Sequence, residues 1–181
     1  MRPGDLIGDR FEIEQHVASG GMGQVFRARD VQSGALVAVK MMFGDLASHI
    51  ARFDRERRVL EKLSHPAIVR YVAHGLTASG EPYLVMEWLD GETLSRRLAR
   101  GRLTIEDSIK LAARVAEALS AAHARDIVHR DLKPSNIFLV DGRIDRAKVL
   151  DFGIARLENG TRVTRTGSPG RRHERARQAP S

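Results

Sequence analysis

The sequence predicts an α+β protein in which a small antiparallel sheet comes first and helices follow. Two observations carry this prediction. Residues 11–89 contain short apolar runs of strand length, separated by turns rich in glycine, serine and proline. Residues 104–124 then repeat apolar side chains at helical spacing. A chain of 181 residues can bury one good-sized core, or two small lobes that share a cleft.

A glycine-rich turn follows the first strand. Residues 11–17 alternate, with Phe11, Ile13 and, less cleanly, Gln15 and Val17 on one side. The turn reads A-S-G-G-M-G from Ala18 to Gly23, and a second strand starts near residue 25. Such a turn lets backbone N–H groups approach a polyphosphate, or it is a plain hairpin turn. It is not a Walker loop, because a strand follows rather than a helix and no Gly-Lys-Ser/Thr is present.

One lysine lies inside an apolar strand. Residues 36–42 read L-V-A-V-K-M-M, and burial of Lys40 is costly unless the ammonium has an anionic partner. The next predicted element, a helix over 47–63, offers Glu56 as that partner. Two alternatives remain open. Lys40 can extend to water from an edge strand, and Glu56 can pair with neighbouring arginines on a solvated face.

The next elements are two strands, a linker and two helices. The strands are predicted over 68–73 and 83–89, and the linker over 90–92. A short helix over 93–100 ends at Gly101, and a long helix begins at Thr104 and runs to about residue 124. The apolar stripe of the long helix is predicted to be core; its residues are Ile105, Ile109, Ala112, Val115 (or Ala116), Leu119 and Ala122.

Polar residues at fixed spacing fill the loop over 127–136, which reads I-V-H-R-D-L-K-P-S-N. Apolar anchors on both sides predict a short loop fixed at each end by core. Such a loop supplies an acceptor for a hydroxyl proton, a cation for a phosphate and an amide oxygen for a metal, which are the groups that phosphoryl transfer needs. A hairpin around Asp141-Gly142 leads to Asp151, the first residue of D-F-G.

Composition excludes several classes of protein. The chain has no cysteine, which excludes a disulfide framework and fits a cytoplasmic location. No apolar run reaches the length of a membrane span, so no membrane segment is expected. The net charge is +7, but the few aromatic residues are not interleaved with the basic ones, and no nucleic-acid partner is expected.

The order of these motifs resembles the protein kinases. The glycine loop, V-A-V-K, a helical glutamate, H-R-D-L-K-P-S-N and D-F-G follow one another at family-like spacings from about residue 11 to residue 168. The details G-G-M-G, H-P-A-I-V, L-V-M-E-W and D-F-G-I-A-R look most like the bacterial serine/threonine kinases of eukaryotic (Hanks) type. The resemblance implies transfer of the ATP γ-phosphoryl group to protein Ser/Thr hydroxyls in signalling, and a bilobal kinase-like fold.

The resemblance also implies roles for individual residues. Asp131 would accept the hydroxyl proton, Lys133 would stabilise the transferred group, and Lys40 would contact the phosphates and pair with Glu56. The cofactors would be ATP and Mg²⁺, with Mn²⁺ as an alternative, and the metal ligands would be Asn136 and Asp151. The backbone of Glu87 and Leu89 would bind adenine. The full ATP-binding set would be Ala18, Ser19, Gly20, Gly21, Met22, Gly23, Val25, Ala38, Lys40, Met86, Glu87, Leu89 and Phe138.

The expected organisation follows the same family. Arg130 would pair with a phosphate on the following loop, for which Thr164 and Thr166 are the best candidates. An antiparallel N-lobe sheet with helix C and an incomplete helical C-lobe are expected. The predicted segments are an N-terminal extension (1–10), the N-lobe (11–89), a partial C-lobe (90–157), a partial activation loop (158–170) and a basic, disordered tail (171–181).

The chain departs from the family pattern at two places. Ala18 replaces the first glycine of the loop, and the match stops after Ser168, before an A-P-E element. We therefore expect a kinase truncated within its activation segment, by a frameshift or an early stop. Besides an active kinase, the sequence leaves two alternatives: a catalytically impaired fragment that at most binds ATP, Mg²⁺ or partners, and a small-molecule phosphotransferase, which Lys133 and D-F-G disfavour.

Overall fold

The computed structural model describes residues 1–20, 23–42 and 63–152. Six strands form one antiparallel sheet in the order β1-β2-β3-β4-β6-β5. Their bounds are β1 Leu6–Ile7, β2 Phe11–Gly20, β3 Gly23–Asp30, β4 Leu36–Met42, β5 Tyr71–Leu76 and β6 Pro82–Glu87. The predicted helix over 47–63 and its Glu56 lie outside the described residues, apart from residue 63.

The alternation predicted for the first strand holds only at its start. Phe11 and Ile13 are buried, as expected. The pairing of β2 with β3 then shifts between Ile13 and Gln15 and again between His16 and Ala18. Each irregularity changes which side of the strand a residue faces. The prediction that Gln15 lies on the same face as Ile13 is therefore wrong, because its partner Arg27 is the neighbour of Ala28, the partner of Ile13. Val17 is exposed.

The core of the sheet lies on one face. Phe11 and Tyr83 meet edge to face with their ring centroids 6.3 Å apart. Ile7 of β1 joins this core, so that part of the predicted N-terminal extension contributes a strand and a fully buried side chain. Buried neighbours complete the cluster: Ile13, Phe26, Ala28, Val37, Val39, Met41 and Val85.

The strand predicted over 68–73 begins later than expected. Only Tyr71–Leu76 pair with β6. Ile68 instead forms a parallel bridge with Val149, and the Val69 N–H donates to the Val149 carbonyl over 3.0 Å. Residues 68–70 therefore run beside a strand that the chain reaches about eighty residues later, and this contact joins the two halves of the described chain.

A second antiparallel sheet of three strands lies below the first, in the order β7-β8-β9. Its strands are β7 Gly91–Thr93, β8 Ile137–Val140 and β9 Ala147–Val149. The interpretation of residues 90–92 as a plain linker is therefore wrong in part, because Gly91 and Glu92 pair with Val140 and Leu139. The predicted hairpin around Asp141 is present between β8 and β9.

The two predicted helices form with almost the expected bounds. Helix α1 is Leu94–Ala99 and helix α2 is Ile105–His123. The side chain of Thr93 caps α1 and that of Thr104 caps α2, each accepting a hydrogen bond from a backbone N–H three residues on. Such a cap stabilises a helix by about 1 kcal/mol.

The buried face of α2 differs from the predicted stripe. Leu111, Ala118 and Ala122 are buried, whereas Ile105 and Ile109 expose 83% and 64% of their surface. Ala112 is exposed as well. The prediction is wrong in the first half of the helix, where Leu111 packs beside β9 and the segment Ile144–Arg146. In the second half, Val115, Leu119 and Ala122 contact the core as predicted.

A cluster of buried side chains joins α2 to the strand that precedes Asp151. Its members are Leu63, Ala67, Ile68, Ala118, Ala122, Ile127, Val149 and Phe152. The cluster fixes the start of the loop over 127–136, at Ile127, and the D-F-G motif, at Phe152. Ile137, which follows the loop, is buried in a neighbouring cluster with Leu111 and Ala147. Within the described ranges, no helix combines the length and apolarity that a bilayer crossing requires.

Candidate functional site

A cavity of about 460 Å³ lies between the first sheet and the β7–β9 sheet. Its volume falls in the range of small-molecule sites. Val25 and Ala38 line the upper side, and Phe138 lines the lower side. Met86 lines it from β6, where it is the cross-strand partner of Ala38. Eight of the predicted ATP-binding residues line this cavity: Ala18, Val25, Ala38, Lys40, Met86, Glu87, Leu89 and Phe138.

The other predicted ATP-binding residues do not line the cavity. Ser19, Gly20 and Gly23 lie at the end of the β2–β3 hairpin, where Gly20 and Gly23 face each other across the strands. Gly21 and Met22 lie outside the described residues. Sequence reasoning missed a further group of lining residues, most of them between residues 88 and 96: Val17, Val69, Trp88, Asp90, Gly91, Glu92, Thr93, Arg96 and Leu150.

Gly23 is required by close packing at the hairpin. Its φ is +138°, and a Cβ at this position would lie 1.8 Å from the Met41 carbonyl oxygen. Any larger residue would push β3 away from β4. Gly23 therefore holds the glycine turn against the strand that carries Lys40.

Lys40 and Asp151 meet at the inner end of the cavity. The Lys40 Nζ donates to the Asp151 Oδ2 over 2.7 Å, and the Lys40 side chain is only 10% exposed. The expectation of an anionic partner for the buried lysine is thus met by Asp151. The predicted partner Glu56 lies outside the described residues, so its pairing with Lys40 stays a prediction.

The loop over 127–136 gathers the other predicted catalytic groups. The Lys133 Nζ donates to the Asp131 Oδ2 over 2.7 Å. The Asn136 Nδ2 donates to the Asp131 carbonyl oxygen at 2.8 Å and to the same carboxylate at 3.2 Å. Asn136 is buried, and it sits in the 3₁₀ turn Pro134–Asn136, which packs against α1. Cation, amide and carboxylate are therefore preorganised on one short segment.

Leu150 connects the two groups of polar residues. Its N–H donates to the Asn136 carbonyl over 2.9 Å, and its own carbonyl accepts from the His129 Nε2 over 2.8 Å. The His129 ring also packs on Phe152, with ring centroids 4.8 Å apart. Asp151 lies between Leu150 and Phe152 in the chain, so these contacts hold it beside the loop that carries Asp131.

Two residues of this region have left-handed backbone conformations. Arg130 has a φ of +61° and Asp151 a φ of +51°. Such values are uncommon for residues with a Cβ, and they persist where the surroundings determine them. Here the His129–Leu150 and Lys40–Asp151 contacts hold the backbone on either side of these residues in place. Thr164 and Thr166, the candidate partners of Arg130, lie outside the described residues.

The donor set suits a hard divalent cation. Asp151 offers a carboxylate. The Asn136 amide nitrogen is used in bonds to Asp131, and among the described residues its Oδ1 accepts no hydrogen bond. Mg²⁺ prefers oxygen ligands and is commonly held by one or two protein groups plus substrate phosphates. No group of three or more His, Cys, Asp or Glu side chains that could hold a metal occurs in residues 1–20, 23–42 and 63–152.

Comparison with known proteins agrees with this architecture, which is that of a two-lobed domain with a nucleotide-sized cleft. Residues 11–170 match the protein kinase domain family. The chain belongs to that family. The predicted bilobal kinase-like fold and the predicted relationship to bacterial serine/threonine kinases are confirmed.

The relatives are bacterial. The chain is 41% identical over 162 residues to the serine/threonine-protein kinase pkn2 of Myxococcus xanthus. It is 38% identical over 174 residues to the serine/threonine-protein kinase PknA of Mycobacterium tuberculosis. The crystal structure of the M. tuberculosis PknI kinase domain superposes with a TM-score of 0.77 at 26% identity.

These matches cover most of this chain but less of the relatives. The pkn2 match covers 87% of this chain and 19% of its relative, and the PknA match covers 92% and 40%. The PknI structure covers 86% of this chain, which in turn covers 62% of that kinase domain. The chain therefore spans less than half the length of these curated relatives.

Proposed function

We propose that the chain provides the ATP-binding and catalytic parts of a serine/threonine protein kinase, which transfers the γ-phosphoryl group of ATP to hydroxyl groups of protein substrates. One observation carries the proposal. The Lys40–Asp151 pair at the end of a nucleotide-sized cavity is tied through Leu150 to the Asp131–Lys133–Asn136 cluster. A phosphate-binding cation, two metal ligands and a proton acceptor thus belong to one connected site.

Adenine fits the part of the cavity between Ala38, Met86 and Phe138. The Glu87 backbone N–H already donates to the Arg70 carbonyl over 2.9 Å, so its carbonyl is the group left for the base. The Glu87 carbonyl would accept from the amino group of adenine, and the Leu89 N–H would donate to a ring nitrogen. The apolar lining excludes water and strengthens both bonds.

The phosphates would extend toward Lys40 and Asp151. Lys40 would donate to phosphate oxygens, with its ammonium shared between them and the Asp151 carboxylate. Asp151 and Asn136 would hold Mg²⁺, which neutralises the charge that develops on the phosphates. The family uses ATP and a divalent metal; the identity of the metal here is part of the proposal.

Transfer needs a hydroxyl beside the γ-phosphate and a group that takes its proton. The Asp131 carboxylate would accept that proton, while Lys133, already 2.7 Å from it, would stabilise the transferred group. Asn136 holds the Asp131 main chain and side chain together, which fixes the direction of the carboxylate. Positioning of this kind accounts for much of the rate in phosphoryl transfer.

Transfer of labelled phosphate from ATP tests the proposal. The wild-type chain with Mg²⁺ and a generic protein substrate should incorporate label, and the Asp151→Asn and Asp131→Asn variants should not. Equal labelling by all three would contradict the assignment.

Binding is measured separately through the single tryptophan, Trp88, which lines the cavity. A saturable fluorescence change with ATP/Mg²⁺ but no transfer would establish the alternative, a fragment that binds nucleotide without turnover. Absence of both the fluorescence change and phosphate transfer would reject the active kinase and the binding-only fragment alike.

A further inference from the structure

The carboxylate of Glu87 occupies a position that its own backbone would normally fill. Residues 70 and 87 continue the antiparallel register of β5 and β6. In such a pair both N–H groups donate to the opposite carbonyl. Here the Glu87 N–H donates to the Arg70 carbonyl over 2.9 Å, but the Arg70 N–H donates over 2.7 Å to the Glu87 Oε1 instead.

The exchange leaves the Glu87 carbonyl outside the ladder. Its usual donor, the Arg70 N–H, is taken by the side chain of the same residue. On the other side, Glu87 faces Val37 of β4. The neighbouring Trp88 N–H donates to the Leu36 carbonyl, so 36 and 88 are the hydrogen-bonded pair, and 37 and 87 are the pair without hydrogen bonds. Glu87 lines the cavity, so a released carbonyl lies at its wall.

Lys148 fixes the carboxylate that makes this exchange. Its Nζ donates to the Glu87 Oε1 over 2.5 Å, and the two side chains are only 19% and 20% exposed. Lys148 comes from β9, in the other sheet, and Val149 beside it is bonded to Ala67 and Val69. The cation therefore reaches Glu87 from a strand held against the same segment as Arg70.

We propose that Glu87 and Lys148 are positioning residues for base selectivity: the carboxylate, held by the ammonium, binds the Arg70 N–H and so frees the Glu87 carbonyl to recognise the 6-amino group of a purine nucleotide. The inference rests on the proposed function and adds the residues that prepare its base-binding group. Without the carboxylate, the Arg70 N–H would close the regular ladder on the Glu87 carbonyl, and the amino group would lose its acceptor.

The test compares ADP with its analogue that lacks the 6-amino group, purine riboside diphosphate, both with Mg²⁺ and both followed by Trp88 fluorescence. The wild type should bind ADP about fivefold more tightly, the value of one neutral hydrogen bond. Glu87→Ala should bind both ligands about equally. Lys148→Met should reduce the ratio to about twofold, and Lys148→Arg should restore it, because the cation keeps the carboxylate in place.

Matched controls come from an exposed pair of the same type. Glu106 and Lys110 also form an ion pair, at 2.6 Å, but with side chains 77% and 53% exposed on α2. Glu106→Ala and Lys110→Met should keep the wild-type ratio. Thermal unfolding of each variant measures stability apart from selectivity.

The outcomes separate the inference from the proposed function. A Glu87→Ala chain that keeps the ADP preference, even with a lower melting temperature, would show a stabilising pair only and overturn the inference. If Glu87→Ala does not fold, an unchanged ratio in Lys148→Met overturns it equally. A wild type that binds both ligands equally refutes the inference and leaves nucleotide binding intact, whereas a wild type that binds neither refutes the proposed function as well.

Discussion

The ammonium group of Lys40 lies 2.7 Å from the Oδ2 of Asp151, although the two residues are 111 positions apart in the chain. This ion pair lies at the inner end of the cavity, and both residues line it. We predict that Lys40→Met weakens ADP binding by about tenfold or more, because phosphate loses a charged donor and meets an uncompensated carboxylate. Trp88 fluorescence measures the change.

Lys133→Met is the matched comparison for that experiment. Lys133 pairs with Asp131 and does not line the cavity, so its removal should leave ADP affinity within about twofold of the wild type. Equal weakening by both substitutions would show that the effect is one of general charge rather than of the Lys40–Asp151 contact.

The Asp131 carboxylate should matter for transfer and not for nucleotide binding. It lies outside the cavity lining and is held by Lys133 and Asn136. Asp131→Asn is expected to lower kcat by about 100-fold or more, as loss of a general base does, with the KM for ATP little changed. Asp141→Asn, in the exposed β8–β9 turn, is the control. A parallel rise in KM would argue against this division of roles.

The cavity wall at Ala38 sets the space available for a base. Ala38 lies opposite Met86 on neighbouring strands, and both side chains line the cavity. Ala38→Leu should weaken nucleotide binding by about tenfold or more, because the larger side chain would occupy the space that the base needs. Ala112→Leu, on the exposed side of α2, should leave binding unchanged. Thermal shift with ADP/Mg²⁺ reports both, because a ligand of the folded state raises its stability.

The two glycines that face each other at the hairpin should respond differently to alanine. A Cβ at Gly23 would lie 1.8 Å from the Met41 carbonyl, in a left-handed conformation, whereas one at Gly20 meets nothing within 4 Å. Gly23→Ala is expected to lower the free energy of unfolding by about 2 kcal/mol, and Gly20→Ala to change it little. Urea unfolding of both variants checks this. Equal costs would contradict the close packing of β3 on β4.

The buried carboxylate of Asp30 should make the sheet sensitive to acid. Hydrogen bonds from Arg10, and then from Ser33 and the Gln32 N–H, hold the pKa of Asp30 well below its usual value, against a desolvation effect that raises it. A carboxyl with a lowered pKa in the folded state stabilises the fold above its unfolded pKa of 3.8. That stability is lost as the pH falls below this value.

Asp30→Asn should remove this pH dependence. At pH 7 the variant is expected to be less stable by about 2 kcal/mol, because the Arg10 guanidinium, two-thirds buried, loses its ionic partner. Between pH 4 and pH 2 the difference from the wild type should shrink. The exposed carboxylate of Asp145 offers the comparison, and a difference that stays constant with pH would count against the assignment.

Local signals predicted the fold well where the interactions are local. Thr104 and Thr93 mark the starts of two helices because the capping hydrogen bond forms within three residues. The prediction failed at 68–70 and at 90–92, where the partners are Val149 and Val140. No periodicity within a segment reveals a partner so distant in the chain. The exposed Ile105 and Ile109 mislead for the same reason, since spacing shows that a helix is amphipathic but not which neighbour covers it.

The site shows the same division. Short motifs predicted Lys40, Asp131, Asn136 and Asp151 as site residues, and the structure brings Lys40 to Asp151 and Asn136 to Asp131. The segment from Trp88 to Arg96, which also lines the cavity, carries no comparable signal. The burial of Asp30 has no local signal either, because it depends on Arg10, twenty residues earlier.

The pairing of β7 with β8 orders events during synthesis. Gly91–Thr93 form one wall of the cavity, yet their strand partner is Ile137–Val140. The Asp90 carbonyl likewise accepts a hydrogen bond from the Asp141 N–H, fifty-one residues later. The six-stranded sheet, whose strands all precede residue 88, contains its own core and can begin to fold on the ribosome. The cavity of the nascent chain is therefore complete only after residues 127–140 have emerged, so a ligand that needs the whole cavity would bind only once the proposed catalytic loop is present.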